Sequence, residues 1–174
     1  FEPIASESEA GPKYGSGVPE DGDKIEIPDT SPQPTPGGTS YATAPEITKS
    51  TVSDTLVPGE MKFYRMNVDW GQRPVAEVEF DKNEEPGSRT RRGNLYIASP
   101  RRAVTSDPLS ENLKENAPVT VQAVNTPYVY YLNREGTLRD WNAADAGQWY
   151  FVVSLEGSKD NGKPNKEVEL SLIH

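Results

Sequence analysis

Asp140, Asn142 and Asp145, in "DWNAAD", place three side-chain oxygen donors within six residues. Carboxylate and amide oxygens are the ligands a hard cation such as Ca²⁺ takes, although the spacing is not that of an EF-hand loop. Asp160 and Asn161 in "KDNG" offer a second, shorter set. The competing use of these residue types is structural, since Asp and Asn close turns and cap helices through backbone hydrogen bonds. A second grouping is cationic. Arg89, Arg91 and Arg92 precede "GNLYIAS", and Arg101 and Arg102 follow it, in a chain of formal net charge −9. Guanidinium groups gathered on an otherwise acidic protein suit an anionic wall polymer or an acidic partner surface, while the ordinary alternative is solvated loop charge. A third grouping is aromatic: Trp70, Trp141, Trp149 and "YVYY" at 128–131. Trp70 and Trp141 are the candidates for stacking on sugar rings. Alternation puts Tyr128 and Tyr130 on one face and Tyr131 on the other, so about half of that run belongs to the core.

Covalent and acid–base catalysis find little support. His174, the last residue, is the single histidine, and there is no cysteine. A histidine-dependent triad, a thiol nucleophile, a thiolate metal site and a disulfide framework all lack their residues. No G-x-S-x-G elbow, S-x-x-K pair, P-loop or dinucleotide fingerprint occurs. Glu77 with Glu79, or Glu84 with Glu85, would be the carboxylate pair of a glycoside hydrolase. Two glutamates on one strand face are more often a wet surface. No catalytic residue is assigned, and the expectation is a protein that is not an enzyme.

The elements that must position these groups are strands. From Tyr41 onward, short β-branched and aromatic runs are separated by turn residues: "MKFYRMNV" (61–68), "PVAEVEF" (74–80), "GNLYIAS" (93–99), "PVTVQAV" (118–124), "PYVYYL" (127–132), "GQWYFVVSL" (147–155) and "EVELSLI" (167–173). Ala76, Val78 and Phe80 alternate with Val75, Glu77 and Glu79, as expected for a sheet with one wet face. "QWYFVVSL" is apolar on both faces and reads as the central strand. Tyr64, Met66 and Val68 should face inward between two turns, Pro58-Gly59 and Gly71-Gln72, each read as the corner of a hairpin. "PLSENLKENAP" (108–118) predicts a helical turn capped by Ser110, and "TLRDWNAADAG" (137–147) another closed by Gly147. Residues 1–40 are Pro/Gly-rich and hold eight acids against two lysines. They form the expected linker, largely extended or disordered, in which only Ile25 and Ile27 of "KIEIP" suggest a strand. Residues 41–174 form the domain, an all-β, antiparallel, jelly-roll-like β-sandwich of about eight or nine strands.

The order "DTLVPGEMKFYRMNVDWGQRPVAEVEF" followed far downstream by "DAGQWYFVVSL" resembles a bacterial pre-peptidase C-terminal (PPC)-like domain. The motif residues are Pro58, Gly59, Glu60, Tyr64, Asp69, Gly71 and Gln72, then Ala146, Gly147 and Tyr150, and the resemblance spans roughly residues 44–173. It implies a small jelly-roll-like sandwich that accompanies other domains. The lead-in "GGTSYATAPEI" is similar to the start of such domains in actinobacterial surface proteins, where they follow von Willebrand factor A-like domains and precede a membrane anchor. Some PPC-like domains of secreted proteases hold calcium near an acidic cluster, which is what the resemblance adds for Asp140, Asn142 and Asp145.

No run approaches the roughly 20 apolar residues of a membrane span. The chain starts at Phe1 and stops inside an alternating run, so the expectation is a piece of a larger protein. The function these features support is a non-catalytic accessory or interaction domain of a secreted or surface-anchored bacterial protein: spacer, stabiliser or adhesive module. The alternative is a carbohydrate- or wall-polymer-binding module using Trp70 and Trp141, with Arg91, Arg92, Arg101 and Arg102 on the anionic groups. The expected partners are a cell-wall polymer or another surface protein, not nucleic acid or a membrane. The expected form is an extracellular or cell-surface monomer with no cofactor other than Ca²⁺.

Overall fold

The computed structural model describes residues 31–48, 51–82, 91–104, 109–114, 116–123, 126–136, 141–156 and 168–173. Nine strands occur among them: β1 (Gln33–Pro34), β2 (Thr51–Leu56), β3 (Met61–Val68), β4 (Ala76–Phe80), β5 (Arg92–Ala98), β6 (Leu109–Asn112), β7 (Val119–Ala123), β8 (Gly147–Leu155) and β9 (Val168–Ile173). They form two sheets, ordered β1-β2-β9-β4-β7 and β3-β8-β5-β6. The antiparallel pairs β2·β9, β3·β8, β4·β7 and β5·β6 are nested one inside the next. That nesting, folded over into two sheets, is jelly-roll topology.

Alternation explains the layers. Tyr64 and Val68 from β3, Leu95 and Ile97 from β5, and Trp149, Phe151, Val153 and Leu155 from β8 meet Val52, Leu56, Val78, Phe80, Leu170 and Leu172 from the facing sheet, all buried. β8 lies between β3 and β5, the central place expected from its two apolar faces. At one end of the sandwich, Gly93 of β5 lies against Phe80 of β4. A Cβ there would approach the ring to 2.5 Å, so glycine permits the close contact of the sheets.

The turns flanking β3 are built alike. In Val57-Pro58-Gly59-Glu60 the Glu60 amide donates to the Val57 carbonyl at 2.8 Å, and the Val57 amide donates to the Glu60 carboxylate at 2.9 Å. In Asp69-Trp70-Gly71-Gln72 the Gln72 amide donates to the Asp69 carbonyl at 3.1 Å, and the Asp69 amide donates to the Gln72 side-chain oxygen at 2.9 Å. Gly59 and Gly71 take φ of 90° and 75°, which a Cβ would resist. Neither turn makes a hairpin, because β2 and β4 lie in one sheet and β3 in the other. Both are corners that carry the chain from sheet to sheet.

Two further expectations change. Residues 109–112, read as part of a helical turn, are strand β6, since pairing with Arg92–Leu95 supplies backbone partners that a short isolated helix lacks. "PYVYYL" enters no sheet: its start is irregular and Tyr131–Glu135 is a 3₁₀ turn, with Val129 and Tyr130 buried. The buried Asn133 side chain donates to the carbonyls of Tyr128 and Ala143 and ties this turn to the loop before β8. "KIEIP" lies outside the described residues.

The segment 33–47 crosses the open side of the sandwich. β1 runs parallel to β2, then Gly38 exchanges two 2.9 Å bonds with Phe63, and Pro45 and Ile47 bond to Arg65. This strap occupies the free edges of β2 and β3, where unpaired backbone groups would otherwise recruit another chain. Its fastening is Asp54. That carboxylate accepts the amides of Gly37 and Thr55 at 2.8 Å each, the Tyr64 hydroxyl at 2.7 Å and the Lys62 ammonium at 2.9 Å. A Cβ on Gly37 would lie 2.8 Å from the Tyr64 ring, so the strap approaches only because residue 37 is glycine. Burial alone would raise the Asp54 pKa, but the bonds from Gly37, Lys62, Tyr64 and Thr55 outweigh it and hold the group below its ordinary 3.8. Burial and the Asp54 charge together raise the Tyr64 phenol well above its usual value.

Asp54→Asn is expected to lose about 3 kcal/mol in urea unfolding at pH 7, the lower end for breaking one partner of a buried pair. A depressed folded pKa stabilises above the unfolded value. The wild-type advantage over this variant should therefore be complete above pH 3.8 and shrink as pH falls below it. A gap that stays constant down to pH 2 would contradict the assignment.

Candidate functional site

Register divides the sandwich into two ends. Leu56, Met61, Phe80, Gly93, Leu155 and Val168 mark the end of the Pro58-Gly59 corner; Thr51, Val68, Ala76, Ala98 and Gly147 mark the end of the Gly71 corner. Arg101 and Arg102 follow β5 and so belong to the Gly71 end. Arg91 precedes β5 and Arg92 opens it, so both belong to the Pro58 end, about 20 Å away along a seven-residue strand. The arginines read together in the sequence thus form two separate groups. Arg91 is also buried, which removes it from any surface for a ligand, whereas Arg92 is exposed.

At the Gly71 end, Ser99-Pro100-Arg101-Arg102 is a tight turn closed by the Arg102 amide on the Ser99 carbonyl at 2.7 Å, with the Ser99 amide donating to Ala103 at 2.9 Å. Arg102 has φ of 64°, the left-handed slot usually given to glycine in such loops. Its guanidinium lies 5.5 Å from the centre of the Tyr41 ring, which meets Phe63 and Tyr150 edge-on at 4.9 Å each. The strap therefore seats this arginine as well.

Asp145 organises two more. Its carboxylate pairs with Arg101 through Nε and, at 3.0 Å, a terminal nitrogen, and with Arg134 at 3.0 Å. The buried Trp149 indole donates to the Asp145 carbonyl at 3.2 Å, so the core itself locates this loop. Asn142 donates its amide to the Val104 carbonyl at 2.9 Å, which places the loop against the segment after Arg102. Trp141 is 49% exposed and Val104 42%. The result is an apolar knob, the exposed Trp141 and Val104 on two segments joined by the Asn142 bond, at an end that also carries Arg101, Arg102 and Arg134. Trp, Tyr and Arg are the residue types that dominate binding hot spots.

Of the calcium candidates, Asp145 pairs with two guanidiniums and Asn142 donates its amide nitrogen to Val104, while Asp140, Asp160 and Asn161 lie outside the described residues. Among the described residues no three of His, Cys, Asp or Glu are grouped as a metal site. Trp70, in the Gly71 turn, is half-buried and packed on the core. Trp141 alone of the two candidates presents an open indole. Arg134, Val104 and Tyr41 were not singled out by spacing. They come from three distant parts of the chain and meet only through Asp145, Asn142 and the strap.

A second feature lies at the Pro58 end, on the outer face of the sheet containing β2, β9 and β4. It is an open groove of about 440 Å³ with Glu79, Asp81 and Glu169 along it, Ser53, Thr55 and Ser171 on its floor, and Pro34 and Pro36 of the strap as a wall. Glu77, expected to share the wet face with Glu79, is buried and accepts the Gln122 amide. The two carboxylates therefore differ in environment and do not flank a common space. Glu84 and Glu85 lie outside the described residues.

No protein-family model matches the chain, and no curated protein matches it. Among the described residues no helix is long and apolar enough to cross a membrane.

Asp145→Ala should release both arginines while costing under about 1 kcal/mol, because each guanidinium side chain is more than half exposed. Chemical denaturation checks the energy, and loss of the slowly exchanging Arg101 Nε–H resonance checks the release. An unchanged resonance would contradict the pairing.

Proposed function

We propose that this sandwich is a non-catalytic interaction domain of a secreted or surface-anchored bacterial protein, of the PPC-like kind, acting at the cell surface as an adhesive module. The observation that carries this reading is the Trp141–Val104 knob with its three arginines, a surface seated by the core through Trp149 and by the strap through Tyr41. An apolar anchor in a cationic border suits an anionic wall polymer or the acidic face of another surface protein.

Co-sedimentation with purified cell walls tests the reading. The wild-type domain should sediment, Trp141→Ala and the double variant Arg101→Ala/Arg102→Ala should lose at least tenfold in affinity, and no soluble sugar or peptide fragments should be released. Sedimentation unaltered by either variant, or release of fragments by the wild type, would overturn it.

A further inference from the structure

The knob and the groove sit at opposite ends of one rigid sandwich and are opposite in character. Trp141 and Val104 are exposed at the Gly71 end, which also carries Arg101, Arg102 and Arg134. The groove at the Pro58 end has Glu79, Asp81 and Glu169 along its length, prolines for one wall and, among the described residues, no basic residue in its lining. Its volume, about 440 Å³, accommodates an indole with room for the adjacent side chains. An indole seats well against proline rings, and guanidiniums pair bidentately with carboxylates. Charge therefore matches between the two ends of the same molecule, and the proline wall offers an indole an apolar surface, yet one molecule cannot bring its own ends together.

We infer that the occupant of the groove is the Trp141 knob of a second copy of this chain, joined head to tail. This rests on the reading that the knob is the contact surface, and it names the partner. Such a contact is heterologous: each bound molecule leaves one knob and one groove free, so association is open-ended and not closed at a dimer. The contact joins finished monomers, because the jelly roll and its strap are complete within one chain. Weak individual contacts of this kind gain strength when many copies stand on one surface. The ionic share makes the contact weaken with salt.

Sedimentation velocity of the whole chain over a concentration series tests this. The wild type should give a weight-average mass that rises continuously with concentration and falls back toward monomer at 1 M NaCl. Trp141→Ala and the groove variant Glu79→Gln/Glu169→Gln should each remain monomeric. These substitutions are at exposed positions, and matching circular dichroism melts verify that both variants are folded. Mixed together, the two variants should form a species that stops at two molecules, since one supplies only a groove and the other only a knob. A wild type that stays monomeric at millimolar concentration, a closed symmetric dimer, or a mixture that fails to pair would overturn the inference. The wall assay separates the two ideas. A groove variant that still sediments with walls leaves the adhesive reading standing, whereas a Trp141→Ala domain that both self-associates and sediments normally removes both.

Discussion

The Asp54 carboxylate joins three parts of the chain at one point. It lies on β2 in one sheet, takes the Tyr64 hydroxyl and Lys62 ammonium from β3 in the other, and takes the Gly37 amide from the strap. A charge so little exposed, 8% for its side chain, is tolerable only when its oxygens are fully used. Here they are. The bond to Gly37 brings the strap against Tyr64, the bond to Tyr64 locks the two sheets across the first corner, and the Lys62 pair neutralises the charge. Removing the carboxylate would leave a buried phenol hydroxyl and a half-buried ammonium without their partner.

From that clasp the strap reaches the far end of the molecule. By occupying the edges of β2 and β3 it blunts the sandwich against sheet-to-sheet pairing, and it carries Tyr41 to the place where Arg102 stacks. Pro34 and Pro36, from the same segment, wall the acidic groove. One length of chain thus borders both candidate surfaces, and the stability of the fold and the form of its contact sites are not separable. The core makes a parallel contribution through Trp149, whose ring is buried between the sheets while its N–H holds the Asp145 loop.

Much of the fold was legible because period-two alternation and turn chemistry are local properties. The two-faced apolar run at 147–155 had to be central, and Pro58-Gly59 and Gly71 had to be turns. The errors arose where local preference met a tertiary demand. "LSEN" at 109–112 has a helix-start pattern, yet the edge of β5 offered backbone partners along its whole length. "YVYY" has strand composition, yet its first three residues are irregular and Tyr131 opens a 3₁₀ turn that Asn133 ties to Tyr128 and Ala143. The two corners were legible as turns but not as sheet crossings, because a β-turn closes in the same way whichever sheet receives the next strand.

The sequence by itself determined the class of fold, the inward residues of most strands, the corners of β3 and the residue types available for binding. Those follow from side-chain period, φ restrictions at Pro and Gly, and the absence of Cys. Only the tertiary structure decided which of those residues act together. Arg91 and Arg102 are eleven positions apart and separated by the length of β5. Arg101, Arg134 and Asp145 are scattered over 45 residues and touch. The physical reason is that a jelly roll pairs strands from the two halves of the chain, so proximity at its ends is set by strand nesting and register and not by distance along the sequence.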